Sequence, residues 1–425
     1  MYTRRDFLVT GVGAGTALLL ASGNLVFAAS ASDPVKKATA ITQVFGNGLR
    51  LTAVALEYDR PIDSSKLSPA AFKVDGRTIT KVYANTAAAL SDAGVNGKYV
   101  ILELSPDDAD ARLYALAKRD VVRKEAKATI TQTGDIVAAD GETVPASAEP
   151  IQTSAVSNLI VDDFQQLAYT DPKTGNVLHY NLFVPRNYDK SKSYPLVLFM
   201  HDAGATSDIV NTTLVQGLGA VVWASPEDQA KREAFVLAPQ YASQLVNDAS
   251  EATADLDRTV DIIHQLMGEY SIDPNRLYTT GQSGGAMASI ALDIKYPDLF
   301  AASFIVAGQW DPEKVKPLAN DKLWIMVSEG DLKAYPGENA ITAVLEKEGA
   351  RISRAVWDGR STPEEFSAAF AKIDAEGSPI NYVVLKKGTV ALPGQEDDGG
   401  SNHVNTWRIA YTIEEIRDWM FRQHK

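Results

Sequence analysis

Residues 195–200 form an unbroken apolar run, Pro-Leu-Val-Leu-Phe-Met, in the second half of the chain. A strand with one solvated face alternates apolar and polar residues, so this run predicts a strand that is buried on both faces. Further strand-like segments lie at 234–238, 277–280, 302–306, 323–327 and 380–385, and helix-prone segments between most of them include 252–269, 286–295 and 412–423. Alternating strands and helices predict an α/β domain over residues 159–425, with a doubly wound sheet covered by helices on both faces.

Residues 36–155 show a different pattern, in which short strand-like segments are separated by turns. Four dipeptides tolerate the positive φ of tight turns, namely Asn47-Gly48, Asp75-Gly76, Asn96-Gly97 and Asp140-Gly141. Short strands without helical crossovers predict a small all-β sandwich of immunoglobulin-like type. Residues 107–127 are the one helix-prone interruption, and we interpret residues 150–158 as a polar linker.

The first residues have the features of a targeting segment. Thr3-Arg4-Arg5-Asp6-Phe7-Leu8 is followed by an uncharged, glycine-interrupted stretch that ends near Ser32. This pattern resembles a twin-arginine signal, and the small residues 29–31 suit a cleavage site, so we expect a signal peptide over residues 1–31. The resemblance implies export to the periplasm or the extracellular space, without a stable membrane anchor after cleavage. A single membrane anchor is the alternative, because an uncharged stretch of this length could span a bilayer.

Composition narrows the possible chemistry. Apolar residues make up 45% of the chain and charged residues 22%, which is typical of a folded globular protein. The net charge of −13 disfavours nucleic acid as a partner. The chain contains no Cys, which excludes disulfides, thiolate metal sites and cysteine nucleophiles. The remaining candidates for catalytic side chains are Ser, Thr, Lys, His and the carboxylates.

The pentapeptide 281–285, Gly-Gln-Ser-Gly-Gly, is the most specific motif in the chain. It lies between a predicted strand and a predicted helix, which is the setting of a nucleophile elbow. Small residues are needed there because the turn strains the serine backbone and brings it close to the following helix. Ser283 is therefore the candidate nucleophile, and the backbone N–H of Gly284 is a candidate oxyanion donor.

A serine nucleophile needs a base, and five His residues are available. His403 is the predicted base, because it lies in a loop after the last predicted strand and before the final helix. His201 follows the buried strand in the sequence His201-Asp202-Ala203-Gly204, where we expect it to hold an oxyanion loop. The N–H of Asp202 or Ala203 is then the second candidate donor. His179, His264 and His424 are expected to have packing or surface roles.

The acid that orients the base should follow a strand between Ser283 and His403. Asp331 is our choice, since it follows the predicted strand 323–327 in the loop Ser-Glu-Gly-Asp. Glu329 in the same loop is the first alternative, and Asp311 after the preceding strand is the second. The short segment between 306 and 323 leaves no room for a helical cap, so we expect an open cleft with Trp310 as a candidate apolar wall for the substrate.

Two stretches of sequence resemble a known family. Residues 276–297, with Leu-Tyr-x-Thr-Gly-x-Ser-Gly-Gly-Ala-Met-Ala, resemble α/β-hydrolase esterases related to feruloyl esterases and polyhydroxybutyrate depolymerases. Residues 67–75 and 99–104 resemble the immunoglobulin-like domain that precedes certain bacterial esterases. The resemblance covers nearly the whole mature chain, and it implies acyl-ester hydrolysis. The triad mechanism needs no cofactor, and we expect no metal site because no two His have helical ligand spacing and no His-Glu-x-x-His sequence occurs.

Three functions are compatible with these residues. A carboxylesterase that uses Ser283, His403 and Asp331 is the first, and it would act on a small-molecule or polymer-attached ester. A serine peptidase of the prolyl-oligopeptidase type is the second, although the β region is too short for a propeller. The third is a non-catalytic binding protein on a hydrolase scaffold. The acyl and alcohol specificity and the oligomeric state stay open, and we hypothesise that the immunoglobulin-like domain shapes the entrance to the site and stabilises the hydrolase domain.

Overall fold

The computed structural model describes residues 34–117 and 120–425, so the expected signal peptide lies outside the described residues. Residues Val35–Lys425 belong to one compact unit. The strands of its first part are β1 (Val35–Phe45), β2 (Gly48–Ile62), β3 (Phe72–Val74), β4 (Ile79–Asn85), β5 (Gly97–Leu104), β6 (Tyr114–Ala117), β7 (Asp120–Arg123), β8 (Thr129–Gln132), β9 (Ile136–Val137), β10 (Thr143–Val144), β11 (Ile151–Gln152) and β12 (Ala155–Asn158).

The main sheets of this first part have the strand orders β12-β1-β2-β5-β4 and β11-β8-β3. Tyr58 of β2 donates a buried hydrogen bond to Oε1 of Gln132 in β8 at 2.8 Å, which connects the two sheets. Apolar side chains from both sheets share one buried cluster. The prediction of an all-β immunoglobulin-like sandwich is confirmed.

Two local predictions in this region are wrong. The helix-prone stretch 107–127 contains an antiparallel hairpin of β6 and β7, and the 3-10 turn Ala109–Ala111 is the helical element described there. The segment interpreted as a linker contains β11 and β12, and β12 runs parallel to β1 at the edge of the larger sheet. The two errors differ in cause. The hairpin partners β6 and β7 are neighbours in sequence, and composition alone was misleading there, whereas β12 pairs with β1, which is distant in sequence and is not revealed by local composition.

The second part alternates strands with helices. Its strands are β13 (Gln165–Thr170), β14 (Val177–Phe183), β15 (Tyr194–Met200), β16 (Phe235–Gln240), β17 (Ile272–Gln282), β18 (Ala302–Val306), β19 (Leu323–Ser328), β20 (Ile352–Trp357) and β21 (Ile380–Leu385). Its helices are α1 (Thr212–Val215), α2 (Leu218–Val221), α3 (Pro226–Lys231), α4 (Asp255–Glu269), α5 (Gly284–Lys295), α6 (Ala334–Lys347), α7 (Pro363–Asp374), α8 (Gly399–Ala410) and α9 (Glu414–Phe421). None of the helices in the described ranges is long and apolar enough to cross a membrane.

These strands form one sheet in the order β13-β14-β16-β15-β17-β18-β19-β21-β20. The strands from β16 to β20 in this order are parallel. Strand β14 pairs antiparallel with both of its neighbours, β13 and β16. Every residue of β15, β19 and β21 is buried, and alternate residues point to opposite faces, so both faces of the sheet are covered. The predicted α/β class is confirmed.

Candidate active site

Ser283 lies at the turn between β17 and α5 in strained backbone geometry, with φ 52° and ψ −118°. A non-glycine residue at positive φ costs free energy and persists only where its surroundings enforce it. Here the strand passes directly into the helix, and a Cβ on Gly285 would lie 1.9 Å from the carbonyl oxygen of Met200. Gly285 therefore permits the close packing that holds Ser283 at the carboxyl end of the sheet.

The structure brings Ser283, His403 and Asp331 together, although they come from three separate segments. The hydroxyl of Ser283 donates to Nε2 of His403 at 2.8 Å, and Nδ1–H of His403 donates to Oδ2 of Asp331 at 2.5 Å. The His403 side chain is 27% exposed and the Asp331 side chain is 3% exposed. The serine end of this chain of hydrogen bonds thus meets solvent, while its acid end is buried.

Asp331 is held in place through both of its oxygens. Oδ1 accepts hydrogen bonds from the backbone N–H groups of Lys333 and Ala334 at 3.0 and 2.9 Å. Burial acts to raise the pKa of Asp331, but the hydrogen bond and charge of His403 and these two N–H groups lower it below its ordinary value. Asp331 is therefore an ionised partner for the imidazole.

The carboxylates of the two alternative acids, Glu329 and Asp311, accept hydrogen bonds from backbone N–H groups away from His403. Oε2 of Glu329 accepts the N–H of Lys387 at 2.9 Å, and Oδ1 of Asp311 accepts the N–H of Glu313 at 3.0 Å. Neither carboxylate is hydrogen bonded to His403 in the described part of the chain. The geometry thus favours Asp331 among the three candidates.

The predicted loop position of His403 is wrong, because His403 lies in the first turns of α8. Asp398 begins this helix, since its Oδ1 accepts the N–H of Ser401 and the Ser401 hydroxyl accepts the N–H of Asp398 in return. The Asp-x-x-Ser spacing was the sequence signal for this helix start. The ring of Trp407, one turn after His403, packs edge-on against the imidazole at 5.0 Å between centroids, so the helix fixes the plane of the base.

The segment after β15 lies beside the nucleophile. An ideal Cβ on Gly284 would be 3.3 Å from the backbone N of Ala203, so the N-terminus of α5 lies against the 3-10 turn Ala203–Ala205. Asp202 begins this turn, and its Oδ1 accepts the N–H of Gly204 at 2.8 Å. The backbone N–H groups of Gly284 and Ala203 are thereby close to each other beside Ser283.

His201 is buried and supports this turn. Its Nδ1–H donates to the carbonyl oxygen of Asp202 at 2.8 Å, and its Nε2 accepts the N–H of Tyr241 at 3.0 Å. These two partners define the neutral tautomer, and complete burial lowers the pKa of His201. The role of holding the loop, which we expected from sequence, agrees with these contacts.

A cavity of about 560 Å³ lies between the two parts of the compact unit, next to the site. Asn47, Arg112 and Tyr114 line it from the β-sandwich, and Asp202 and Trp407 line it from the α/β part. Tyr114 is 4% exposed, and its hydroxyl has no hydrogen-bond partner among the described residues. Sequence reasoning missed this tyrosine, because the stretch that contains it was taken as helix-prone.

Trp310 is placed in a different cavity. It is 7% exposed and lines a space of about 480 Å³ together with Leu256 of α4 and Ala291 and Ile294 of α5. No contact in the described structure links its ring to Ser283 or His403. Its role as a substrate wall stays a prediction.

The described residues include no group of three or more His, Cys, Asp or Glu side chains arranged to hold a metal ion. A strained serine at the elbow of a mostly parallel sheet, with a histidine and a carboxylate from later segments, is characteristic of α/β-hydrolases.

Comparison with known proteins agrees with this class. A family model described as the esterase Ig-like N-terminal domain matches residues 37–145. A solved structure of a thermostable esterase is 30% identical, with a TM-score of 0.79 over 92% of this chain and 100% of that chain. The chain belongs to the family of esterases that carry an N-terminal immunoglobulin-like domain.

Two curated relatives share shorter segments. A protein of Nocardia uniformis subsp. tsuyamanensis, named as an esterase, is 25% identical over 178 residues, or 41% of this chain and 51% of the relative. A protein of Aspergillus terreus, named as a feruloyl esterase, is 30% identical over 134 residues, or 31% of this chain and 47% of the relative. The chain thus spans about half the length of the curated relatives it matches.

Proposed function

We propose that this protein hydrolyses carboxylic esters through an acyl-enzyme formed on Ser283. The observation that carries the proposal is the unbroken chain of hydrogen bonds from the Ser283 hydroxyl through His403 to Asp331. A serine hydroxyl is a weak nucleophile until a base removes its proton, and Nε2 of His403 is within hydrogen-bond distance to do so.

In the acylation step, Ser283 Oγ attacks the ester carbonyl carbon while Nε2 of His403 takes the hydroxyl proton. The carbonyl oxygen becomes an oxyanion, and the N–H groups of Gly284 and Ala203 donate hydrogen bonds to it. Such preorganised donors stabilise the charge that develops in the transition state. The tetrahedral intermediate then breaks its bond to the alcohol oxygen, which receives the proton from His403.

In the deacylation step, His403 takes a proton from water, and the resulting hydroxide attacks the acyl carbon. The second tetrahedral intermediate releases the carboxylic acid, and Ser283 Oγ recovers its proton from His403. Asp331 keeps its negative charge throughout, orients the imidazole and stabilises the imidazolium that forms in each half of the reaction.

We propose that the cavity beside Asp202 and Trp407 accepts the substrate group beyond the ester bond. The cavity of about 560 Å³ adjoins Asp202 in the oxyanion turn and Trp407 against the base. Because the β-sandwich supplies part of its lining, we propose that the immunoglobulin-like domain shapes the entrance and influences which esters fit. The volume suits a small or medium-sized acyl or alcohol group, or the end of a polymer-attached ester.

The test compares wild-type protein with Ser283→Ala on nitrophenyl esters of increasing acyl length, a feruloyl ester, a polyester film and an amide. We expect ester turnover by the wild type and a loss of about a million-fold in Ser283→Ala. Ser367→Ala, at an exposed serine of α7, is the matched control and should keep full activity. A serine-directed organophosphate should label Ser283 alone.

Three results would contradict the proposal. If Ser283→Ala keeps more than a few per cent of the activity, Ser283 is not the nucleophile. Amide cleavage at a rate comparable to ester cleavage would favour a peptidase. Absence of both ester turnover and organophosphate labelling of Ser283 would favour a non-catalytic binding protein.

A further inference from the structure

Glu338 of α6 is a buried acid that the proposed reaction does not use. It is 1% exposed, and its Oε1 accepts the backbone N–H of Gly308 at 2.9 Å. Its other oxygen, Oε2, is buried and has no hydrogen-bond partner among the described residues. A buried carboxylate with a single hydrogen bond and no cation is strongly destabilised, so this environment favours the protonated acid.

Gly308 belongs to the segment that supports the nucleophile elbow. The carbonyl oxygen of Val306 accepts the N–H of Ser283 at 2.9 Å. An ideal Cβ on Gly308 would lie 2.7 Å from Cβ of Ala286 in α5, so this segment also packs against the helix that follows Ser283. A displacement of Gly308 would therefore be transmitted to the backbone of Ser283.

The helix that carries Glu338 also holds the candidate acid of the triad. The N–H of Ala334, at the start of α6, donates to Oδ1 of Asp331 at 2.9 Å, and Glu338 lies one turn further along. Through the Gly308 bond, Glu338 thus connects the segment that bears Asp331 to the segment that supports Ser283.

The titratable and charged groups near Glu338 do not favour its ionisation. Asp331 in the loop after β19 is negative, and burial followed by this charge raises the pKa of Glu338 well above its usual range, against the lowering by the Gly308 hydrogen bond. Tyr335 of α6 and Tyr382 of β21 are the other titratable neighbours, and Arg354 of β20 lies over the Tyr382 ring at 5.2 Å. In the described ranges, no cation forms an ion pair with Glu338.

We propose that Glu338 is a positioning residue that keeps its proton in the working enzyme, and that its ionisation at higher pH displaces the Gly308 segment and lowers esterase activity. This inference rests on the proposed function of Ser283, His403 and Asp331. The bond from Gly308 favours the ionised form, but Oε2 of an ionised Glu338 has no donor in the described structure. It would need water, whose entry would separate α6 from the segment that it holds.

The first experiment measures kcat/KM of the full chain from pH 5 to pH 10, each profile being normalised to its own maximum. We expect the midpoint of the alkaline limb to move up by at least one pH unit in Glu338→Gln, whose amide oxygen can still accept from Gly308 and cannot ionise. Glu346→Gln, at an exposed position of the same helix, is the control and should follow the wild type. Coincident profiles for Glu338→Gln and the wild type would overturn the proposal.

A third variant separates the hydrogen bond from the charge. Glu338→Leu removes the acceptor of Gly308, so we expect kcat to fall at least tenfold at every pH while KM changes less than threefold. Glu338→Gln should recover most of this loss at neutral pH. Equal activity of the Leu and Gln variants would contradict a positioning role for the bond to Gly308.

The second experiment does not depend on turnover, so it still tests Glu338 if the proposed esterase activity is absent. It measures Tm against pH for Ser283→Ala with and without Glu338→Gln. If the pKa of Glu338 is higher in the folded state than in the unfolded state, its contribution to the free energy of unfolding is fully present below about pH 4.5. This contribution is lost as the pH rises through the folded-state pKa. The double variant should therefore gain in relative Tm as the pH rises, and parallel curves would overturn the proposal.

Discussion

Nε2 of Gln282 donates a hydrogen bond to Oδ2 of Asp202 at 3.0 Å, in the buried space behind the nucleophile elbow. Gln282 precedes Ser283, and Asp202 begins the turn that contains the N–H of Ala203. The Gln282 amide also donates to Oε1 of Gln216 at 3.3 Å. One side chain therefore fixes the position of the nucleophile relative to the proposed oxyanion donors.

Gln282→Leu should lower kcat by about tenfold to a hundredfold with little change in KM, because it releases the oxyanion turn and leaves one oxygen of buried Asp202 without a donor. Steady-state kinetics on a nitrophenyl ester measure the effect. Gln265→Leu, at an exposed position of α4, is the control and should behave as wild type. An unchanged kcat in Gln282→Leu would show that this bond does not hold the oxyanion donors.

Asp331→Asn should lower kcat by roughly ten-thousandfold, since an amide cannot hold the imidazole in the tautomer that accepts the serine proton. Glu329→Gln, two residues away, should cost less than about threefold, because Glu329 bonds the backbone of Lys387. The same ester assay ranks the two variants. The reverse ranking would assign the acid to Glu329.

The contact between the β-sandwich and the α/β part can be tested at Gly46. A Cβ at this position would lie 2.5 Å from Cγ of Arg408 in α8, and both residues line the cavity beside the site. Gly46→Ala should therefore lower Tm and shift the acyl-length preference of the esterase.

The matched control for Gly46→Ala is Gly268→Ala in α4, where an added Cβ meets nothing within 4 Å. Alanine stabilises a helix interior relative to glycine by about 1 kcal/mol, so this control should raise Tm slightly and leave the kinetics unchanged. A chain that begins at Leu159 extends the test, and we expect it to aggregate or to change its chain-length preference. Unchanged stability and kinetics in Gly46→Ala and in the shortened chain would show that the first domain is only a spacer.

Asp321 should make stability depend on pH. Burial and then the charge of Asp298 raise its pKa from 3.8 to about 6. The contribution of protonated Asp321 to the free energy of unfolding is therefore fully present below about pH 4. It is lost as the pH rises through about 6. Asp321→Asn should gain a few degrees of Tm relative to wild type between these values, measured by thermal unfolding from pH 4 to pH 8.

The control for Asp321→Asn is the same change at Asp208, which is exposed. We expect the Asp208→Asn curve to follow the wild type at every pH. A constant Tm difference between Asp321→Asn and wild type across the range would contradict the raised pKa of Asp321.

The class of the second part could be predicted because its strands are buried on both faces. Two of the signals are local in sequence. The apolar run 195–200 requires a strand that is buried on both faces, and the Gly-x-Ser-x-Gly sequence at 281–285 requires a tight turn between a strand and a helix. The position of His403 after the last predicted strand also made it the best candidate base among the five His residues, although the sequence analysis placed it in a loop and not in a helix. The start of that helix depends on the reciprocal bonds of Asp398 and Ser401, a local signal that the sequence does contain.

Some strands and some buried side chains could not be predicted from the residues adjacent to them in sequence. Strand β12 depends on its pairing with β1, and β20, an edge strand with mixed burial, was not predicted because its pattern is weak. The burial of Glu338 and the unpartnered hydroxyl of Tyr114 likewise depend on elements distant in the chain.

The sequence by itself determined the two architectures, the serine at the elbow and the order in which the proposed nucleophile, acid and base occur along the chain. Periodicity and turn chemistry act over a few residues, so they can be read locally. Only the tertiary structure decided that Asp331 rather than Glu329 meets His403 and that the β-sandwich lines the cavity beside the site. These are relations between residues far apart in the chain, and packing and long-range pairing bring them together.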